Sequence, residues 1–585
     1  MCGIAGLMTR NGQPPDMAVL RKLASALAHR GPDGERFHVS GNTGLVHRRL
    51  AIIDLEGGHQ PLFGRGGTSL VANGEIYNDL QLRASLGNTA IYHTGSDCES
   101  ILNVYDPDDA GFVNRLRGMY AFALHDPAYQ TLTLARDPFG IKPLYIAQGD
   151  FGLAFASEIS ALVAAGFVPG AEDKLATIKM FELQFPSGDH PPVIGIERLP
   201  PGAVWTIKNG EVIRREGLPY WKRPIQAARS SADPLKTFDD IFTRSVELHL
   251  RSDVPFGLFL SGGIDSAAVL TAMVRATQVP VKAFTAYFPG TGAADERERA
   301  KAAAQSVGAD HTEVAVTEED FWQYLPLIAK AMDDPVADYA IVPTWLLARE
   351  ARKSVTVVLS GEGGDELFAG YGRYRSAIAP WPLRKPMWQR GRFFATGLIR
   401  NNVRWRSDLA DVEAQLSDGS PLQRAQRLDM AEWLANDLLV KLDRCLMAHG
   451  IEGRVPFLDT EVAEFALGLA DDQKIHGKLG KWLLRNWVAE HMPAAQALAP
   501  KQGFTVPVEH WIAGRGRALG ELMAKNEAVA AHCHPDAVKR IFANATQGWR
   551  AGAATWTLLF YALWHRAHIE RKPVDGNVMD VLAAR

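Results

Sequence analysis

A change of texture near residue 235 constrains this chain more than any other feature. Up to about residue 210 it reads as short strands. Gly44–Ile53, Ser69–Ala72, Tyr120–His125, Thr131–Ala135 and Leu153–Ala156 are alternating or apolar runs, separated by Gly, Pro, Asn and Asp turns. Helical periodicity is confined to a few stretches, Met17–Ala28 and Cys98–Tyr105 among them. A polar stretch, Trp221–Pro234, follows. Beyond it strand and helix alternate: Phe256–Leu260 before Ser266–Ala276, Val281–Phe288 before Glu296–Val307, and Val355–Leu359 before a glycine-rich turn. That alternation means a parallel sheet covered by helices. The C-terminal part is mainly helical, rich in Ala, Leu and Trp. The expected division is a first domain at 1–215, a linker at 216–235 and a second domain at 236–585.

Composition narrows the function classes. Of 585 residues, 47% are hydrophobic and 22% charged, enough apolar side chain for sizeable cores. The net charge of −3 argues against a general nucleic-acid binder, which needs a basic excess to meet phosphates. No apolar run approaches the roughly 20 residues of a membrane span, and no basic, then apolar leader opens the chain. Cys2, Cys98, Cys445 and Cys533 form no CxxC pair. The expectation is a cytoplasmic protein. The basic and aromatic segment Trp381–Arg406 reads as a solvated helical insertion, since charge runs usually face water.

Removal of the initiator methionine would leave Cys2 at the N-terminus. A free α-amine with a pKa near 7.7–8.0 can take the proton of a thiol near 8.5, so one residue supplies both base and nucleophile. Gly3-Ile4-Ala5-Gly6-Leu7 is a strand fit to bury that terminus. Arg49 can clamp a carboxylate, Asn73 and the Gly74 N–H can donate to an oxyanion, and Asp97 can pair with an ammonium. Together these describe a site for an α-amino acid with a reactive side-chain amide.

In the second half, Leu258-Phe259-Leu260-Ser261-Gly262-Gly263-Ile264-Asp265-Ser266 lies between a strand and a helix. Its glycines allow close backbone approach, and its N–H groups join a helix N-terminus in attracting phosphate oxygens. Asp265 is suited to Mg²⁺ bridging those oxygens. The lysine of a Walker loop is absent. A second turn, Ser360-Gly361-Glu362-Gly363-Gly364-Asp365, offers Asp365 as a further metal ligand and Glu362 as a base.

These segments, with His29-Arg30-Gly31-Pro32-Asp33, Asn73-Gly74-Glu75-Ile76-Tyr77-Asn78 and Lys478-Leu479-Gly480-Lys481-Trp482-Leu483-Leu484-Arg485, resemble the glutamine-hydrolysing asparagine synthetases. That family joins a class II glutamine amidotransferase domain to an ATP-dependent synthetase domain, and the resemblance runs over roughly residues 1–515. It implies an N-terminal nucleophile αββα sandwich, then an adenine-nucleotide α-hydrolase-like doubly wound parallel sheet with a helical C-terminal part. It implies Cys2 as nucleophile, with Arg49, Leu50, Ile52, Asn73, Glu75 and Asp97 around glutamine and Cys98 as a structural thiol. Phe259, Ser261, Gly262, Gly263, Asp265, Ser266, Ala286, Ser360 and Gly361 would bind ATP. Asp265 and Asp365 would hold Mg²⁺, and Glu362 and Lys481 would serve adenylation and amide formation, with Lys478 the rival for the lysine. The implied reaction amidates aspartate through an acyl-adenylate, releasing AMP and pyrophosphate and channelling ammonia between sites. Asp333–Pro343, where the family binds its acceptor, carries no evident arginine clamp. A cell-envelope or polysaccharide carboxylate therefore stands as the alternative acceptor. A non-catalytic binding protein is opposed by the intact Cys2, Asn73, Asp265 and Glu362. The assembly is open, a homodimer among the options.

Overall fold

The computed structural model of the chain describes residues 2–225, 233–292, 296–380, 382–401, 403–500 and 505–584. The first domain holds two antiparallel sheets of six strands. Across one lie Ile196–Arg198, Tyr145–Gly149, Gly152–Ala156, Gly3–Thr9, Thr43–Arg49 and Gly34–Ser40. Across the other lie Glu211–Gly217, Ala203–Lys208, Thr131–Arg136, Gly118–Asp126, Ser69–Ile76 and Leu62–Phe63. Strand side chains alternate, so Ile4 and Met8 point between the sheets to meet Leu45, Val71, Leu132 and Phe155. Ala5 and Leu7 point the other way, onto Leu20, Leu23 and Leu162 of the helices Met17–Ala26 and Ile159–Ala165. Leu82, Ile101 and Val104, from Asp79–Leu86 and Glu99–Val104, cover the second sheet in the same manner. The result is the expected four-layer αββα sandwich.

The second domain is built on five parallel strands in the order Asp310–Ala315, Lys282–Tyr287, Phe256–Phe259, Val357–Leu359, Glu452–Arg454. The chain builds outward from Phe256–Phe259 on one side, then returns to its other flank. Ligands bind at the carboxyl ends of strands where such an order reverses, and both glycine-rich loops leave from that point. The edge strand Glu452–Arg454 is fully buried. Arg454 bonds its neighbour Glu452 at 2.6 Å and reaches Glu75 of the first domain at 3.3 Å. A charged edge covered by another domain cannot recruit a foreign strand.

Two expectations change. The strand expected over Gly44–Ile53 stops at Arg49, because Asp33 takes the Ala51 N–H at 2.9 Å and turns the chain out of the sheet. The insertion is not helical: no helix occurs among its described residues (Trp381 and Asn402 lie outside them). Pro382 and Pro386 interrupt any helical ladder there. It is also only partly solvated. Trp388 stacks on Trp433 at 5.0 Å, and Phe393 stacks on Phe181 of the first domain at 5.2 Å. Arg384, Lys385, Arg390 and Arg404 do face water.

The domains meet across a buried ionic seam. Arg30 grips Asp443 at 2.7 and 3.0 Å, Arg198 grips Asp334 at 2.6 and 2.7 Å, and Arg117 grips Asp459 at 2.7 and 2.9 Å. Tyr220 and Trp221, at the head of the connecting stretch, are buried.

Candidate active site

Cys2 sits at the start of the central strand Gly3–Thr9, between the sheets, and is buried. Its N–H donates to Asn73 Oδ1 at 3.0 Å, and its Sγ lies 3.9 Å from the Leu50 carbonyl oxygen. Among the described residues, that bond leaves Asn73 Nδ2 buried without a partner. A buried donor with nothing to donate to is costly unless a ligand supplies the acceptor. Burial pushes the Cys2 thiol above its ordinary range, and neighbouring positive charge pulls it back.

The other residues implied around glutamine are placed unequally. Leu50 and Ile52 are buried in the turn after Arg49, the Leu50 carbonyl facing Cys2. The Arg49 guanidinium donates to the Leu55 and Asp54 carbonyls and so ties down the 53–55 loop. The Asp54 carboxylate accepts the Gly95 N–H at 2.7 Å, which brings the segment carrying Asp97 against that loop. Asp97 accepts the Ile76 N–H at 2.6 Å, and burial lifts its carboxyl to about 6. Gly74 packs so tightly against the next strand that a Cβ would stand 2.2 Å from the Met119 oxygen. Glu75 faces Arg454, and burial pushes it upward. Cys98 lies behind Gly74 with its Sγ 3.8 Å from that carbonyl, and burial holds it far above the thiolate range.

In the second domain the two glycine-rich loops close on each other. Ser266 Oγ accepts the Ser261 N–H at 3.1 Å, and Ser261 Oγ accepts the Gly263 N–H at 3.1 Å, so the first loop is self-braced. Gly361 lies so near that a Cβ there would be 2.8 Å from Asp265 Cβ. Together they wall a cavity of about 280 Å³. Phe259, Ser261, Asp265, Ser266, Ala286, Ser360 and Gly361 line it, with Glu362, Asp365, Glu366 and Lys441 at its other side. Gly262 and Gly263 stand outside this lining, Gly262 packed on Glu296 and Gly263 capping the helix Ile264–Ala276. A larger cavity of about 1010 Å³, between Arg115, Tyr120 and Glu464, lies apart from both loops.

Lys481 rather than Lys478 reaches this site. Its Nζ bridges Asp265 and Asp365, 2.6 Å from the latter. Burial opposes its charge, but the two carboxylates hold it protonated, above its usual range. It sits at φ 59, a left-handed conformation uncommon for a lysine, which turns it into the loops. Lys478 is exposed. Two carboxylates facing one cleft suit Mg²⁺, which takes one or two such ligands and completes its shell with phosphate oxygens.

Sequence reasoning missed Lys441, buried and 3.0 Å from Asp338 and 3.5 Å from Glu362. It also missed Glu452 and Arg454 as residues meeting the first domain. The available signal was Lys441, Asp443 and Arg444 standing inside an otherwise apolar run, Leu438–Met447. Of the arginines against Asp333–Asp338, Arg444 bonds Asp333 at 2.7 Å and Arg198 holds Asp334, while Arg392, near Asp338, keeps Nη1 buried without a hydrogen-bond partner among the described residues.

Comparison with known proteins gives two family matches, asparagine synthase over residues 237–566 and the glutamine amidotransferase domain over residues 1–221. Glutamine-hydrolysing asparagine synthetase 1 of Bacillus subtilis (strain 168) is 31% identical, over 98% of each chain. Glutamine-hydrolysing asparagine synthetase B of Escherichia coli (strain K12) is 29% identical over 88% of this chain and 83% of its own. The third such synthetase of Arabidopsis thaliana is 29% identical over 83% and 75%. No helix among the described residues is long and apolar enough to cross a membrane.

Proposed function

Since the chain belongs to the asparagine synthase family and carries a glutamine amidotransferase domain ahead of the synthase region, we propose that it moves the amide nitrogen of glutamine onto the side-chain carboxylate of aspartate. Once Met1 is removed, the Cys2 amine takes the thiol proton and the sulfur attacks the glutamine amide carbon. Asn73 Nδ2 and the Gly74 N–H receive the oxyanion, which in such sites is among the largest contributions to rate. Asp97 holds the substrate ammonium. Arg49, by stiffening the 53–55 loop, shapes the carboxylate end of the site.

A carboxylate is a poor electrophile until it is joined to a leaving group. In the second site the aspartate carboxylate attacks the α-phosphorus of ATP, forming an acyl-adenylate as pyrophosphate leaves. Lys481 neutralises charge gathering on the phosphates. Mg²⁺, held by Asp265 and Asp365, would supply further charge neutralisation when bound. Ammonia then attacks the acyl carbon, Glu362 takes the proton it sheds, and AMP departs. Ammonia is mostly protonated in water at pH 7, so passage through a closed interior preserves its nucleophilicity.

The observation that carries this reading is the pairing of a buried thiol beside an idle amide donor with a phosphate-type loop cavity, joined by one buried seam. Incubation with amide-¹⁵N glutamine, ATP, Mg²⁺ and aspartate should place ¹⁵N in asparagine, with AMP and pyrophosphate in equal amounts. ADP and phosphate as products, or no label in asparagine, would overturn it.

A further inference from the structure

We propose that Lys441 is a positioning residue for amide formation: it holds Glu362 as an ionised carboxylate aimed at the acceptor end of the nucleotide cavity. The inference rests on the reaction assigned above and names the group that makes its proton acceptor work.

Glu362 lies on the loop after the strand Val357–Leu359, in a cavity wall crowded with acids. Asp338 faces it from the acceptor segment and Asp365 and Glu366 from the short helix Gly364–Leu367, while Asp437, one turn before Lys441, faces Asp338 and Lys441. Lys441 is the cation set against Glu362 and Asp338, while Lys481 pairs with Asp365 and Arg392 faces Asp338 and Asp437. The Lys441 Nζ lies 3.5 Å from Glu362 and 3.0 Å from Asp338, with the side chain almost wholly out of water. Burial raises the Glu362 carboxyl, and Asp338 and Asp365 raise it further; Lys441 acts the other way. Without that charge, Glu362 would gain a proton in the range where it has to accept one.

The lysine is itself fixed. It belongs to the helix Leu439–Met447, which continues from a π-helical stretch, Met430–Leu438. In that helix Asp443 is gripped by Arg30 and Arg444 by Asp333. Arg30 also donates to the Cys2 carbonyl at 3.3 Å. Lys441 thus projects from a helix anchored on the far side to the first domain. In the reacting complex the ammonia nitrogen bonds to the acyl carbon, the bond to AMP breaks, and the nitrogen's surplus proton passes to Glu362. Lys441 touches neither reacting atom.

The test is the pH dependence of synthesis driven by ammonium salt, which bypasses the thiol site. Wild type, Lys441→Arg and Lys441→Met are compared. A Lys441→Met/Asp338→Asn pair, with Asp338→Asn as its reference, covers the case in which the single variant fails to fold. Removing a positive neighbour raises a carboxyl pKa, so the acidic limb of kcat should move up by about one pH unit or more. The loss at pH 7 should be about tenfold and should shrink at higher pH. KM for ATP should stay within about twofold, and Lys441→Arg should keep the limb near its wild-type place. An unmoved limb, or a loss equal at every pH, overturns this inference alone. A wild-type enzyme that makes no amide and no AMP overturns the underlying reaction as well.

Discussion

Cys2 and Asn73 form a unit in which each residue completes the other. The amide oxygen of Asn73 fixes the Cys2 backbone, which frees its nitrogen to face a ligand. Replacing Cys2 by Ala should abolish glutamine-dependent synthesis and leave ammonium-dependent synthesis near wild type; glutamine hydrolysis at an undiminished rate in that variant would exclude the thiol as nucleophile. Asn73→Ala should lower the glutaminase kcat by about 10²–10³, the usual effect of losing one oxyanion donor. A drop below threefold would assign that task elsewhere. If Asp97 holds the substrate ammonium as proposed, it sets a pH limit. Its carboxyl, lifted to about 6 by burial, is charged above that value and neutral below it. As pH falls through 6 the hold on the glutamine ammonium weakens, so KM for glutamine should rise about tenfold per unit below it. A KM that stays flat down to pH 5 would show that Asp97 does not bind the ammonium.

At the level of elements, two devices organise the second site. The first is the reversal of strand order between Phe256–Phe259 and Val357–Leu359, which delivers both glycine-rich loops to one place. The second is the helix Leu439–Met447, whose polar residues Lys441, Asp443 and Arg444 are all buried and all paired. Such pairs add little net stability compared with apolar residues, but removing one partner leaves a buried charge behind. Asp443→Ala should therefore cost about 3–5 kcal/mol, read from the midpoint of denaturant unfolding, with both half-reactions lost together. A change under about 1 kcal/mol would mean water reaches the Arg30 guanidinium and the helix is less firmly seated than its contacts imply. For the loops, Lys481→Met should remove aspartate-dependent pyrophosphate release and spare glutaminase activity, because the Lys481 ammonium pairs with Asp265 and Asp365 of the second domain.

Across the whole molecule, a buried ionic seam joins the two domains. Arg198, from the first domain, closes on Asp334 and is hydrogen-bonded to the Gly188 carbonyl. The C-terminal helix Trp549–His568 backs the same segment, Trp556 donating to the Ala337 carbonyl at 2.7 Å. Arg198→Leu loosens this seam without touching either set of reacting groups. It should raise the glutamate formed per asparagine above one while ammonium-driven synthesis persists, both measured in one assay under saturating ATP and aspartate. A ratio held at one would place the ammonia route away from this part of the seam.

The two sheet types were legible from sequence because each depends on local pattern, period-two alternation in one half and strand–helix alternation in the other; the same kind of pattern singled out Cys2, Asn73, Asp265, Asp365 and Glu362 as candidates, and the structure brings Cys2 against Asn73 and the three acids to one cavity. The choice of Lys481 over Lys478 was legible only as spacing; the left-handed turn at Lys481 is what directs it onto two aspartates. The basic segment misled, because counting charges says nothing about prolines closing a loop onto Trp433 and Phe181. Asp443 lies hundreds of residues from its partner Arg30, and Glu452 and Arg454 sit in a strand only three residues long. Asp443 and Arg454 find partners in the other domain, Arg30 and Glu75, and Lys441 finds Asp338 about a hundred residues away in its own. A buried charge is tolerable only where a distant segment brings its opposite within hydrogen-bonding reach, so which charges lie inside was decided by the tertiary structure alone.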